Sequence, residues 1–219
     1  MKTYTNPIYS CAAPIEPSGT PHHWPVVVAG AGPVGLCAAI DLAQRGIDVM
    51  VLDEDNTVSV GSRAICWAKR TLEILDRLGC GDRIVGKGVE WNVGRVFFRD
   101  EQIYQFNLQP EAGHRRPAFI NLQQYWVEQF LVERCLGLPQ AELRWQNKVV
   151  GVTPHADRVA IRVAAPAFTA PNISVIKARV PSRPAATWAS LCSAAPRPGT
   201  SFAGLSAAIA SRVAGQSLK

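Results

Sequence analysis

The most constraining stretch of this chain is VVVAGAGPVGLCAAIDLAQRGIDVMVLDE, Val26 to Glu54. Val26–Ala29 is a short apolar run dominated by β-branched residues, which suits a strand buried on both faces of a parallel sheet. It feeds directly into Gly30-Ala31-Gly32-Pro33-Val34-Gly35, a GxGxxG turn. From Pro33 the apolar residues Val34, Leu36, Cys37, Ile40, Leu42 and Ala43 predict a core-facing helix. Proline is tolerated in its first turn and Gly46 supplies its C-terminal stop. IDVMVLD, residues 47–53, then reads as a second strand. Strand, helix and strand in that order imply a parallel pair joined by a right-handed crossover.

Each glycine has a physical task. The first permits a tight turn off the strand, the second lets a pyrophosphate approach the backbone, and the third lets helix and strand pack closely. Free amides and the helix dipole then face the anion. Asp53 stands 23 residues after Gly30, at the end of the second strand, where a carboxylate accepts hydrogen bonds from ribose hydroxyls. The cofactor-site candidates are therefore Gly30, Ala31, Gly32, Pro33, Val34, Gly35 and Asp53. Glu54 is included as the adjacent acid, although a solvated loop is its plainer reading. This pattern predicts a dinucleotide but does not separate FAD from NAD.

Further along, AKRTLEILDRL (68–78) places Leu72, Leu75 and Leu78 on one helical face and ends at Gly79. RVFFRDEQIYQFNL (95–108) reads as a hairpin around Arg99-Asp100-Glu101. LRWQNKVVGVTPHADRVAIRVAA (143–165) reads as another, turning near His155-Ala156-Asp157. Between them, QQYWVEQFLVERCLG (123–137) carries Val127, Phe130, Leu131 and Cys135 at helical spacing. The six cysteines (Cys11, Cys37, Cys66, Cys80, Cys135, Cys192) form no CxxC pair, which speaks against a disulfide scaffold or a zinc site. His22, His23, His114 and His155 also lack ligand spacing, so no metal is expected. No run approaches the roughly 18 apolar residues of a membrane helix, and the N-terminus lacks a signal-peptide core, so a cytoplasmic protein without a membrane partner is expected.

GSRAICWAKRTLEILDRLG (61–79) and GHRRPAFINLQQYWVEQFLVE (113–133), taken with the glycine turn, resemble the FAD-dependent aromatic-ring hydroxylases, particularly the 3-(3-hydroxyphenyl)propionate hydroxylase branch, over roughly residues 3–165. The resemblance implies an α/β fold: a Rossmann-type FAD-binding βαβ domain with added β-hairpins. It implies that Gly30, Gly32 and Gly35 seat the FAD pyrophosphate and that Asp53 holds the adenosine ribose. Arg63 matches an arginine that contacts FAD, and Gln124 a glutamine near its ribityl chain; from residue type alone Gln124 is equally a helix-start polar residue. His114, Arg115 and Arg116 match the family loop but read as a solvated loop without assigned chemistry. The implied chemistry is reduction of FAD by NADH or NADPH, activation of O2 and transfer of one oxygen atom to a small phenolic substrate. No catalytic residue is identified.

Charge changes abruptly near residue 168. Of the net charge of +6, all is carried by Lys177, Arg179, Arg183, Arg197, Arg212 and Lys219, with no acid from residue 168 to 219. The expected domains are an extended arm (1–24), a partial FAD-binding domain with part of a substrate domain (25–167), and an irregular, low-complexity basic tail (168–219). Only GLSAAIASRVAG (204–215) has helical character there. The Asp-Gly and Gly-Asp motifs that follow in the resembled family are absent, so the chain is expected to be incomplete relative to that family, inactive alone, and read out of frame from about residues 166–168 onward. Translation of the other frames should then reveal a Cys-Asp-Gly-like stretch. Two alternatives are an NAD-binding dehydrogenase domain and a non-catalytic nucleotide-binding module. The basic residues are too dispersed for a nucleic-acid surface.

Overall fold

The computed structural model describes residues 4–11, 22–61, 63–166 and 172–179. They belong to two compact units, Met1–Pro7 with Val58–Arg134 and Ile8–Thr57 with Cys135–Lys219. In the second of these units, strands β2 (Val26–Ala29), β3 (Val49–Leu52) and β9 (Ala141–Arg144) form a parallel sheet in the order β2-β3-β9. Val26 pairs with Val49, and Val49 with Ala141. Helix α1 (Pro33–Gln44) connects β2 to β3 and buries Leu36, Ala39, Ile40 and Ala43. Gly46, at φ +75°, ends the helix in the left-handed region where glycine carries no Cβ penalty.

A second sheet lies in the same unit: β1 (His22–Trp24), β12 (Asn172–Arg179), β11 (Arg158–Ala165) and β10 (Lys148–Pro154), in the order β1-β12-β11-β10. Val27, Met50 and Leu52 of the parallel sheet form one apolar cluster with Ile161, Val163, Ile176 and Ala178. Because side chains alternate along a strand, the parallel sheet has two apolar faces, and this cluster is one of them. Full burial of side chains such as Leu52 and Ile176 contributes about 1.5–3 kcal/mol each.

Two sequence expectations are corrected here. β12 lies inside the stretch expected to be irregular, and Ile176 and Ala178, two positions apart on it, are both buried, as the period of a strand requires. The compositional shift at residue 168 masked that short periodic run. Leu143 and Arg144, expected to open a hairpin, instead end the parallel strand β9, so the hairpin is β10 and β11 alone. The helix expected at 204–215 lies outside the described residues.

The other unit holds helices α2 (Lys69–Arg77), α3 (Gly81–Lys87) and α4 (Gln124–Leu136, in this unit through Arg134), and a small antiparallel sheet of β4 (Cys66–Ala68), β8 (Phe119–Asn121) and β5 (Val89–Trp91). It also holds the ribbon β6 (Val93–Phe98) and β7 (Glu101–Asn107), which turns at Arg99 with φ +51°. Two tyrosines of the arm, Tyr4 and Tyr9, are anchored by packing. Tyr4 stacks on Tyr125 at 4.1 Å and donates its hydroxyl to Gln129 at 3.0 Å, and burial pushes its phenol up to about 12. In the β2-β3-β9 unit, Tyr9 stacks on Trp145 at 4.6 Å. Among the described residues no helix is long and apolar enough to cross a membrane.

Candidate functional site

The glycine turn sits where β2 ends and α1 begins. Gly30 adopts φ +102°, and its amide donates to the Leu52 carbonyl at 2.7 Å, which ties the turn to the end of β3. Gly32 is the N-cap of α1 with φ −74° and ψ 179°; no side chain caps the helix, and its first turn holds no acid. The amides of that first turn have no carbonyl one turn back to bond, and Pro33 contributes none. Orphan N–H groups with the positive end of the helix dipole make an anion site. A Cβ built on Gly32 meets nothing within 4 Å, so the space over the turn is open. Gly35 is the opposite case: a Cβ there overlaps the Gly30 carbonyl oxygen, which is the close helix-to-turn approach that the third glycine was expected to permit.

Asp53 stands at the mouth of this turn. Its Oδ2 accepts from the Ala31 amide at 2.5 Å and its Oδ1 from the Asp55 amide at 2.8 Å. The acid expected to hold a ribose therefore also holds the second residue of the turn, a role the sequence did not reveal. Burial pushes the Asp53 carboxyl above its ordinary range, and the two amide bonds oppose that rise without cancelling it. Glu54, the neighbouring candidate, pairs with Lys148 at 2.6 Å.

Arg63 and Gln124 belong to the other unit. Arg63 is exposed on the loop before β4, and its guanidinium has no hydrogen bond or ion pair among the described residues. Gln124 begins α4; its Oε1 accepts from the Ala64 amide at 3.2 Å, and its Nε2 donates to Ser59 Oγ at 3.1 Å and to Glu128 Oε1 at 2.6 Å. Residue type alone does not point to Ser59 or Glu128. The available signal was spacing: Glu128 lies one helical turn after Gln124, between the buried Val127 and Leu131.

The loop carrying His114, Arg115 and Arg116 needs a correction. Arg116 is buried, at 6% exposure, and donates to Asp76 through both Nε (2.7 Å) and a terminal nitrogen, and to Asp82 at 2.5 Å. Arg115 approaches Asp76 at 3.5 Å, and His114 meets Lys69 at 2.6 Å. The dense basic run conceals one arginine committed to an internal ion pair. Among the described residues no cluster of His, Cys, Asp or Glu could hold a metal.

The FAD binding domain family matches residues 23–168, which include the turn, Asp53, Arg63 and Gln124. The chain belongs to that family. This FAD-binding domain is 33% identical over 138 residues to the 6-methylpretetramide 4-monooxygenase of Streptomyces rimosus, covering 61% of this chain and 24% of the relative. It is 26% identical over 138 residues to a 3-(3-hydroxy-phenyl)propionate/3-hydroxycinnamic acid hydroxylase of a Mycobacterium species, covering 63% of this chain and 24% of the relative. Among solved structures it superposes on p-nitrophenol 4-monooxygenase from Pseudomonas putida with a TM-score of 0.65 at 28% identity, covering 73% of this chain and 40% of that one. The chain thus spans about a quarter to two fifths of the length of these relatives. The family is described by FAD and not by NAD.

Proposed function

We propose that this chain binds FAD as the cofactor-holding part of a flavin-dependent monooxygenase acting on a small phenolic ring with NADH or NADPH. The observation that carries this reading is the uncapped start of α1, open above Gly32 and flanked by Asp53. The residues fit the cofactor: Gly30, Gly32 and Gly35 shape the turn, the amides of Gly32, Val34 and Gly35 are left to face the pyrophosphate, and Asp53, which holds the Ala31 amide, accepts from the adenosine ribose. Arg63, a planar fork with no partner among the described residues, suits a phosphate or other oxygen anion. Gln124 already uses both amide protons and offers the remaining lone pair of its Oε1. Bound FAD would supply the redox chemistry, taking hydride from the nicotinamide and activating O2. The aromatic substrate class rests on relatives named for nitrophenol and hydroxyphenylpropionate. FAD binding, rather than turnover, is the activity expected of this chain alone. Expression of all 219 residues, desalting and a visible spectrum test it: a flavin band that co-elutes with protein supports the reading. Colourless protein that leaves the fluorescence of added FAD unquenched rejects it.

The Asp53 carboxyl gives this reading a pH signature. An Asp whose pKa is raised by folding contributes stability below its unfolded pKa, and that contribution is lost as pH rises through the folded pKa. Ribose hydroxyls donate to the ionised form, so cofactor binding draws the pKa back down and favours higher pH. FAD affinity should weaken as pH falls through a window beginning above the ordinary carboxylate range, by up to about tenfold per pH unit once Asp53 is protonated. Titration of FAD fluorescence across pH measures this. Asp53→Asn should flatten the profile, and an unchanged profile in that variant would remove Asp53 from the site.

A further inference from the structure

The loop that carries Arg63 is fastened from several sides by groups that do not reach Arg63 itself. Asn6 Nδ2 donates to the carbonyls of Val58 at 3.0 Å and Ser59 at 3.3 Å. Glu128, at 2% exposure, accepts the Ser59 amide on Oε2 and the Ser59 hydroxyl on Oε1, each at 2.6 Å. The same Oε1 accepts from Gln124 Nε2, which fixes the Gln124 amide so that its own Oε1 faces the Ala64 amide. A buried carboxylate that gathers three donors in this way is a strong acceptor, and hydrogen bonds to a charged partner are the stronger class. Both ends of the segment, Ser59 and Ala64, are thereby referred to two side chains one turn apart on α4, and Arg63 lies next to the second attachment.

We propose that Glu128 is the positioning residue of this site: through Ser59 and Gln124 it holds the loop that presents Arg63 to an anionic group of the cofactor. The role of Arg63 in cofactor binding is taken from the function proposed above, whereas the clamp is independent of it. Glu128→Gln is the informative substitution because it keeps the shape and removes the charge. In either orientation the new amide turns an N–H toward a donor, either the Ser59 amide or Gln124 Nε2, so one attachment is lost.

Limited trypsin digestion of the 219-residue chain reads the clamp directly. The Arg63–Ala64 bond is held by the Ala64 attachment, so E128Q should accelerate cutting there by about tenfold or more, the effect of leaving a buried donor unmatched on local opening. Leu75→Ala, which truncates the core of the same unit, serves as the control and should accelerate cutting at many sites together. Unchanged cutting at Arg63 in E128Q, or a rise no more selective than that of L75A, overturns the proposal. The second arm measures FAD affinity in wild type, E128Q, R63A and the double variant. Glu128 acting through Arg63 predicts weaker binding in each single variant and no further loss in the double variant, whereas additive losses overturn the positioning role. If R63A binds FAD as wild type does, the assignment of Arg63 fails while the proteolysis result still decides the clamp.

Discussion

Gly35→Ala is expected to destabilise the β2-β3-β9 unit and to abolish FAD binding together. A methyl at residue 35 would overlap the Gly30 carbonyl oxygen and stand 3.2 Å from Val28 Cγ1. Neither neighbour yields cheaply: Gly30 is held through Leu52, and Val28 is fully buried in β2. Relief requires α1 to move off the sheet, which also uncovers Leu36 and Ile40. Overpacking of this kind costs about 3 kcal/mol. For a chain of this size that lowers the melting temperature by roughly 6–12 °C, which circular dichroism would show. Gly32→Ala separates the fold from the site. Its backbone angles suit any residue and its Cβ meets nothing, so folding should be unharmed and the melting temperature unchanged or slightly higher. The methyl would stand, however, where the proposed FAD pyrophosphate approaches. Loss of one charge-assisted hydrogen bond, worth roughly 1.5–3 kcal/mol, weakens FAD by about 10- to 100-fold. Equal melting losses in the two variants would show that the turn's glycines serve packing alone.

The contrast between these two glycines explains why the geometry of the turn was legible in the sequence. A glycine turn is a local object. Strand, turn, helix and acid lie within Val26–Glu54, and each residue's task follows from its own backbone angle or from a neighbour in the same short unit. α1, β2, β3 and the stop at Gly46 accordingly form where periodicity and glycine placement put them. Asp53 was found by spacing, but its bond to Ala31 was not, because a carboxylate reaching back across the turn leaves no periodic trace.

What was not legible depends on partners distant in sequence. β9 is a parallel strand only because β3, 92 residues earlier at Val49↔Ala141, supplies its ladder; alone, AELR has no strand signal. β12 needs β11 and the apolar cluster above β3 to reward the burial of Ile176 and Ala178 in a basic, acid-free run. Gln124 was singled out through resemblance, yet Ser59 and Glu128, which consume its amide protons, lie on a loop and a helix face that no single window joins. The same holds for Arg116, whose acids are Asp76 at the end of α2 and Asp82 at the start of α3.

Arg116→Met should be the most damaging charge removal in the α2–α3 unit. Arg116 is 7% exposed at its side chain, and Asp76 16%, so removing the guanidinium leaves a largely buried carboxylate facing only Arg115 at 3.5 Å. Hydrogen bonding to Asp76, the largest influence, holds the guanidinium further above its ordinary pKa. Breaking one side of a buried pair costs about 3 kcal/mol or more, and the melting temperature should fall by roughly 6–12 °C. Asp82 is 85% exposed, so Asp82→Asn should leave the melting temperature almost unchanged even though the arginine holds its carboxyl below the ordinary range. The decisive comparison is the double variant Asp76→Leu with Arg116→Met. Replacing both charges by apolar groups removes the stranded carboxylate and should recover most of the loss. The tight fit of Gly81 against Asp76 limits the shape of residue 76, so recovery short of complete is the expected result. Double-variant stability no better than that of Arg116→Met alone would mean that the arginine stabilises the unit by packing its stem rather than by matching Asp76.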